Sequence, residues 1–159
     1  MGSVSTITIR PSTSNPPYLM GANCASRREV LQAVGLFDDS FLRQQDVDLS
    51  YRILLADYRL VYVESAVVYH RNHDTLAGLW GEGFCHGHHS VRTLKRHRLL
   101  LQGRGFRRFH GRSWPRIVHT SVALWREGQP VEALCHLVFN MGKKAGKLVG
   151  SVRYGYPTW

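Results

Sequence analysis

Residues 43–52 read Arg-Gln-Gln-Asp-Val-Asp-Leu-Ser-Tyr-Arg, and the interpretation of the fold starts from this stretch. It places two carboxylates, Asp46 and Asp48, at the start of an apolar pattern with helical spacing. Positions i and i+2 lie about 200° apart around a helix, so the two carboxylates face different sides and must have different roles. Asp46, at the N-terminus of the predicted helix, is suited to be either a helix cap or a general base.

The second carboxylate has a basic partner one helical turn further on. Asp48 and Arg52 are four positions apart, a spacing that brings them together on one helix face and predicts a structural ion pair. The sequence around them predicts short elements: strands at residues 18–25, 60–63 and 67–69, and helices at residues 27–34 and 46–57. Ser26 and Glu29 have the spacing of a capping box for the first helix, and Gly35 is suited to end it.

Further motifs flank residues 43–52 in a fixed order. They are Gly21-Ala22-Asn23, Arg27-Arg28-Glu29, Gly35-Leu36-Phe37-Asp38, Tyr58-Arg59-Leu60-Val61-Tyr62 and Ala66-Val67-Val68-Tyr69-His70. This series resembles the C-terminal, acceptor-side half of the family 2 glycosyltransferases of GT-A fold, over about residues 18–100. The resemblance implies an α/β fold: a partial GT-A-type mixed sheet with flanking helices, followed by a basic helical C-terminal region.

The resemblance also implies roles for individual residues. Asp46 matches the base that removes the proton of the acceptor hydroxyl, and Gln45 stands where the family usually has Glu. Gly21, Ala22 and Asn23, together with Gln45, would bind substrate along the cleft. His70 matches a ligand of the Mn²⁺ or Mg²⁺ ion that holds the nucleotide diphosphate.

The implied function is transfer of a sugar from a nucleotide-sugar donor to an acceptor hydroxyl. Family 2 enzymes bind the nucleotide through an N-terminal half whose Asp-x-Asp motif holds the metal. No counterpart of that half precedes Tyr18, and the one Asp-x-Asp of this chain, Asp46-Val47-Asp48, matches the base region. We therefore expect the chain to be incomplete as an enzyme on its own, and to need a separate N-terminal half or self-association.

Charge divides the chain into two regions. Residues 1–75 carry seven Lys or Arg against eight Asp or Glu, whereas residues 76–159 carry fourteen against three. We expect a flexible leader at residues 1–17, the acceptor-side unit at 18–75 and a basic helical extension at 76–159. Such an extension favours a polyanion. The alternative function is thus a non-catalytic basic module that binds an anionic membrane surface or nucleic acid, with nucleic acid the less favoured partner.

The basic region shows helical spacing with breaks. Gly81, Gly83 and Gly87 predict an interruption of the first helix, whereas Pro115 and Pro130 are suited to open two further helices. The apolar runs are shorter than the roughly 20 residues of a membrane span, and the three cysteines form no disulfide framework. These features predict a cytoplasmic protein that is peripheral at the inner membrane face.

Overall fold

A computed structural model describes residues 4–8, 16–69, 73, 75–99 and 113–158. Its elements, in chain order, are β1 (Val4–Thr8), β2 (Cys24–Ser26), α1 (Arg28–Val34), α2 (Gln45–Leu55), β3 (Arg59–Tyr62), α3 (Leu76–Arg96), α4 (Trp114–Arg126) and α5 (Pro130–Tyr154). The chain forms two compact units. The first comprises Met1–Arg71 and Arg96–Phe109, and the second comprises Asn72–Lys95 and His110–Trp159.

The predicted partial GT-A-type mixed sheet is wrong, because the described residues are mainly helical. Their five helices contrast with three strands of only five, three and four residues. The order of the strands is β2-β1-β3, with β1 antiparallel to β2 and parallel to β3. The central strand, β1, comes from the segment that was predicted to be a leader, and the pairing amounts to a small patch of sheet.

Of the three predicted strands, the one at residues 60–63 is present as β3, which begins one residue earlier, and the other two are mostly wrong. In the segment 18–25, the Leu19 N–H donates to Ser50 Oγ over 2.8 Å, and the Asn23 N–H closes a turn on Met20 O over 2.9 Å. Only Cys24–Ser26 remains as strand. The apolar residues 67–69 are exposed, Tyr69 fully so, and lie outside any strand. The β-branched pattern there was therefore misleading, since no neighbouring strand pairs with it among the described residues.

The first unit has a small apolar core. Leu19, Val30, Leu49 and Ile53 are buried together, so α1 and α2 face each other through their apolar sides. Helix α1 ends at Gly35, whose φ of 86° is left-handed, as predicted. This packing fixes the orientation of α2, and with it the sides on which Asp46 and Asp48 lie.

In the second unit, glycines let two helices pack backbone to backbone. A Cβ added to Gly87 would lie 2.0 Å from Lys143 O, and one added to Gly146 would lie 2.0 Å from Phe84 O. Gly83, Gly142 and Gly150 make equivalent approaches. Contacts advance by four residues on both helices together, so α3 and α5 run parallel. The predicted interruption at Gly81, Gly83 and Gly87 is wrong: α3 is continuous, and two of these glycines form its packing face.

Helices α4 and α5 form a hairpin in the same unit. Pro115 and Pro130 lie in their first turns, as predicted, and Ser121 Oγ contacts His136 Nδ1 across the pair at 3.0 Å. Helix α5 therefore packs on α3 with one face and on α4 with another. In the parts of the chain that the structure describes, none of the helices has both the length and the apolar character needed to cross a bilayer.

Lys147 of α5 is buried, and this makes stability depend on pH. Burial, together with the charges of Lys143 and Lys144, lowers its pKa to about 8 from 10.5. Between pH 8 and pH 10.5, Lys147 is protonated in the unfolded chain but mostly neutral in the folded chain. We therefore expect the free energy of unfolding to rise as the pH increases from about 8 to 10.5. The rise is on the order of 3 kcal/mol. Denaturant unfolding should show it, and Lys147→Met should abolish it. An equal rise in that variant would contradict this origin.

Candidate functional site

Asp46 is the second residue of α2, and its carboxylate is half-buried. Its Oδ2 accepts a hydrogen bond from the Gly21 N–H over 2.9 Å, and its Oδ1 accepts one from the Val47 N–H over 2.8 Å. The Gly21 contact joins the turn at 20–23 to the first turn of α2. Each carboxylate oxygen has a second acceptor position, so this oriented group retains capacity to accept a hydroxyl proton.

The chain enters α2 through an unusual conformation. Gln44, the residue before the helix, has a φ of 68°, and its side chain makes no capping hydrogen bond. A non-glycine residue in the left-handed region costs about 1–2 kcal/mol. The strained residue lies immediately before Gln45 and Asp46. Strained backbone of this kind clusters at functional sites.

The remaining residues predicted to bind substrate lie in or beside the turn at 20–23. Gly21 and Ala22 are exposed, and Asn23 is half-buried, with its Nδ2 donating to Ala66 O over 3.4 Å. Gln45 is half-buried as the first residue of α2. Of these four predicted residues, Gly21 contacts the predicted base directly. Asn23 instead ties the turn to the segment after β3.

Two other side chains are affected by the Asp46 charge. Burial raises the pKa of the Tyr18 hydroxyl, and the negative charge of Asp46 raises it further. The pKa of the Cys24 thiol is raised by the same two causes in the same order. Both groups therefore stay protonated at neutral pH, so a phenol O–H and a thiol stand in the electrostatic field of the carboxylate as hydrogen-bond donors.

Asp48 faces the other way and is fully buried. Its Oδ2 accepts from Arg52 Nε over 2.9 Å, and its Oδ1 lies 2.8 Å from His97 Nε2 and 3.3 Å from Arg96 Nε. An ionised carboxylate only accepts, so His97 must carry its proton on Nε2. The predicted contact between Asp48 and Arg52 is thus present within a larger network that buries one acid among three basic side chains.

The network extends from Asp48 to the backbone and to Asp38. Arg52 also donates to Val34 O and to Leu36 O, which fixes the end of α1 to α2. Arg96 pairs with Asp38, whose Oδ1 accepts from the Ser40 N–H over 3.0 Å. The loop before α2 is therefore fixed at two points, at Leu36 by Arg52 and at Asp38 by Arg96.

The pKa values of both acids in this network are lowered. Burial alone would raise the pKa of Asp48, but hydrogen bonds from His97 and Arg52 and the charges of Arg52 and Arg96 hold it below its ordinary value. Hydrogen bonds from Arg96 and Ser40 lower the pKa of Asp38 well below its usual range. Both carboxylates are therefore ionised at neutral pH, and Asp48 is unsuited to accept a proton from a substrate.

The metal prediction concerns a residue outside the described part of the chain. His70, the predicted ligand of Mn²⁺ or Mg²⁺, lies there, so its role as a metal ligand remains a prediction. Within the described residues, no three His, Cys, Asp or Glu side chains are grouped to hold a metal ion. The Asp46-Val47-Asp48 motif does not fit one either, because Asp48 is enclosed by basic partners.

Sequence reasoning missed Arg96 and His97 as partners of Asp48. Both lie nearly fifty positions away, in a tract that the sequence marks only as basic. It also gave Ser50 no role, although the Ser50 hydroxyl accepts from the Leu19 N–H and donates to Asp46 O, which links the segment 18–20 to α2. No spacing rule brings these residues together, because their contacts arise only from the tertiary fold.

The site is thus one half-buried and oriented carboxylate, Asp46, on a helix held by the contacts of Asp48. Asp46 is suited to proton transfer, whereas the support is suited to keeping α2 in place. Comparison of the chain with family models, with curated proteins and with solved structures finds no match.

Proposed function

We propose that this chain serves the acceptor side of a sugar transfer. Asp46 accepts the proton of an acceptor hydroxyl while that oxygen attacks the anomeric carbon of a nucleotide-sugar, and the nucleotide diphosphate departs. The observation that carries the proposal is the geometry of Asp46: half-buried, at the start of α2, with Oδ2 fixed by the Gly21 N–H. The order of motifs around it, which resembles the family 2 glycosyltransferases, supports the same role.

The surroundings of Asp46 support hydroxyl recognition. Gly21 and Ala22 are exposed beside the carboxylate, and the protonated, exposed Cys24 is a weak donor in its electrostatic field. A base must reach the proton that it removes within about 3 Å, so a fixed carboxylate is more useful than a mobile one. The donor nucleotide would be held by groups that have no counterpart in this sequence.

The test is the binding of acceptor saccharides to the full chain, measured by saturation-transfer NMR over a panel of mono- and oligosaccharides. We expect at least one to bind, and Asp46→Asn to weaken it about tenfold, because a charge-assisted hydrogen bond contributes about 1.5–3 kcal/mol. The variant keeps one oxygen, which can still accept from the Gly21 N–H, but its NH₂ group replaces the acceptor of the Val47 N–H, so its circular dichroism should be compared with that of the unaltered chain. Asp39→Asn, on an exposed acid nearby, is the matched control and should bind normally.

Two results would contradict the proposal. One is that no saccharide of the panel binds to the chain. The other is that Asp46→Asn and Asp39→Asn bind the saccharide equally well, which would leave Asp46 with a role in the fold alone.

A further inference from the structure

Helix α4 leaves one apolar face exposed to solvent. Trp114, Val118, Val122 and Trp125 recur at intervals of four, four and three residues, so they lie along one side of the helix. The side chain of Trp125 is 66% exposed. Ile117, roughly a quarter of a turn away around the helix, is buried. The exposed side therefore lies beside the face that packs on α5, and Trp114 at its start contacts Lys144 of α5.

Helix α5 continues the pattern over its whole length. Its exposed apolar residues are Val131, Leu134, Met141, Leu148, Val149 and Val152; apart from Val149, successive members are three, four or seven positions apart, which is about one or two helical turns. The side chain of Val152 is 83% exposed. Because the other two faces of α5 pack on α3 and α4, these residues are what remains uncovered. We call the exposed apolar residues of α4 and α5 the apolar stripe.

The hairpin that carries the apolar stripe is cationic. Leaving out Lys147, which is buried, residues 113–158 carry five Lys or Arg against two Glu, and both Glu lie at or near the turn of the hairpin. Lys144 Nζ lies 5.9 Å from the centre of the Trp114 ring, which puts a cation next to an aromatic ring at the edge of the stripe. Tryptophans combined with Lys and Arg around an apolar face are typical of helices that lie in the plane of a membrane interface.

We infer that the α4–α5 hairpin docks on the surface of an anionic lipid bilayer, with the apolar stripe inserted and with Lys144 and the exposed arginines of the hairpin attracted to lipid phosphates. Both features are satisfied by this one partner, because the acyl boundary accepts the stripe and anionic headgroups attract the cations of the hairpin. The inference does not rest on the proposed sugar-transfer function.

Two other partners would fit the apolar stripe less well. The spacing of the α5 residues would suit a helical seam with a second copy of the chain. That seam would bring two cationic hairpins together, since Glu132 is the one acid of α5. Nucleic acid would use the Lys and Arg of the hairpin but would leave two tryptophans and the valines in water. The charge and the apolar area therefore favour lipid.

The experiment is co-sedimentation of the full chain with vesicles, at low salt, together with tryptophan fluorescence. We expect binding to phosphatidylcholine vesicles that contain phosphatidylglycerol to exceed binding to pure phosphatidylcholine by about tenfold or more. Raising the salt concentration should weaken it. Trp125→Ser combined with Val152→Ser should lower the affinity by about tenfold or more, because two large apolar side chains no longer insert.

A matched control separates the stripe from exposed apolar residues in general. Leu42→Ser changes a residue of the first unit that is equally exposed, and it should bind vesicles like the unaltered chain. The circular dichroism of all variants should match, since each altered side chain is on the surface.

Three results would overturn the inference. The first is equal vesicle binding by the stripe variant and the Leu42→Ser control. The second is a dimer in sedimentation velocity without lipid that the stripe variant abolishes, combined with no vesicle binding, which would assign the stripe to a second copy. The third is that the chain shifts duplex DNA in a gel but does not bind anionic vesicles.

Discussion

Replacing Gly87 by alanine is expected to destabilise the second unit by about 3 kcal/mol or more, near or above the upper end of the usual cost of overpacking. The new Cβ would lie 2.0 Å from Lys143 O and 2.8 Å from Lys143 C. Both are backbone atoms, so no side chain can rotate away and the two helices must move apart. The close packing along α3 and α5 would then be lost at neighbouring glycines as well.

Gly81 gives the matched control for this experiment. It lies in the same helix, but a Cβ added there would meet no atom within 4 Å. Gly81→Ala should therefore stabilise the unit by up to about 1 kcal/mol, the difference in helix propensity. Denaturant unfolding followed by tryptophan fluorescence suits the measurement, because Trp80, Trp114 and Trp125 all belong to the second unit. Equal effects of the two substitutions would contradict the packing described for α3 and α5.

Asp48→Asn should have a comparable effect on the first unit. The substitution removes the charge that faces Arg52, Arg96 and His97, and it replaces one of the two buried acceptor oxygens by an NH₂ group that opposes these donors. Breaking a buried ion pair from one side costs about 3–5 kcal/mol. Amide hydrogen exchange in α2 measures the loss locally, and Asp39→Asn on an exposed acid should change it little.

The same network predicts how the first unit responds to acid. Because the pKa of Asp48 and the pKa of Asp38 are lowered in the folded state, their contribution to stability is fully present above the unfolded value of about 4 and is lost as the pH falls below it. Asp48→Asn should remove a large part of this acid dependence. An unchanged acid dependence, together with protection in α2 that resembles the unaltered chain, would show that the network does not support α2.

Local patterns predicted the helices well. The apolar spacing after Asp46 predicted α2, Gly35 was correctly expected to end α1, and Pro130 was correctly expected in the first turn of α5. Each of these signals acts within one or two turns of helix, so the sequence alone contains the physical cause. The capping box of Ser26 and Glu29 did not form, because α1 begins one residue later, with Arg27 at the N-cap.

Longer-range features could not be predicted. Glycines were interpreted as helix breaks, although Gly83 and Gly87 serve close contact with α5, which a single helix pattern does not reveal. The segment 18–25 had the composition of a strand, but Ser50 Oγ takes the Leu19 N–H instead. For the site, sequence spacing correctly assigned Asp46 and Asp48 to different sides of α2. It did not reveal that His97 is a partner of Asp48.

The central claim is that Asp46 contacts the acceptor hydroxyl whereas Asp48 only supports the helix. The most direct measurement is the ¹³C carboxyl resonance of each side chain, recorded by NMR as an acceptor saccharide is added to the full chain. We predict that the Asp46 resonance shifts in proportion to bound saccharide, because a hydroxyl proton comes to its carboxylate, and that the resonance of the enclosed Asp48 stays in place. A saccharide that binds without moving the Asp46 resonance, or that moves Asp48 instead, would contradict the claim.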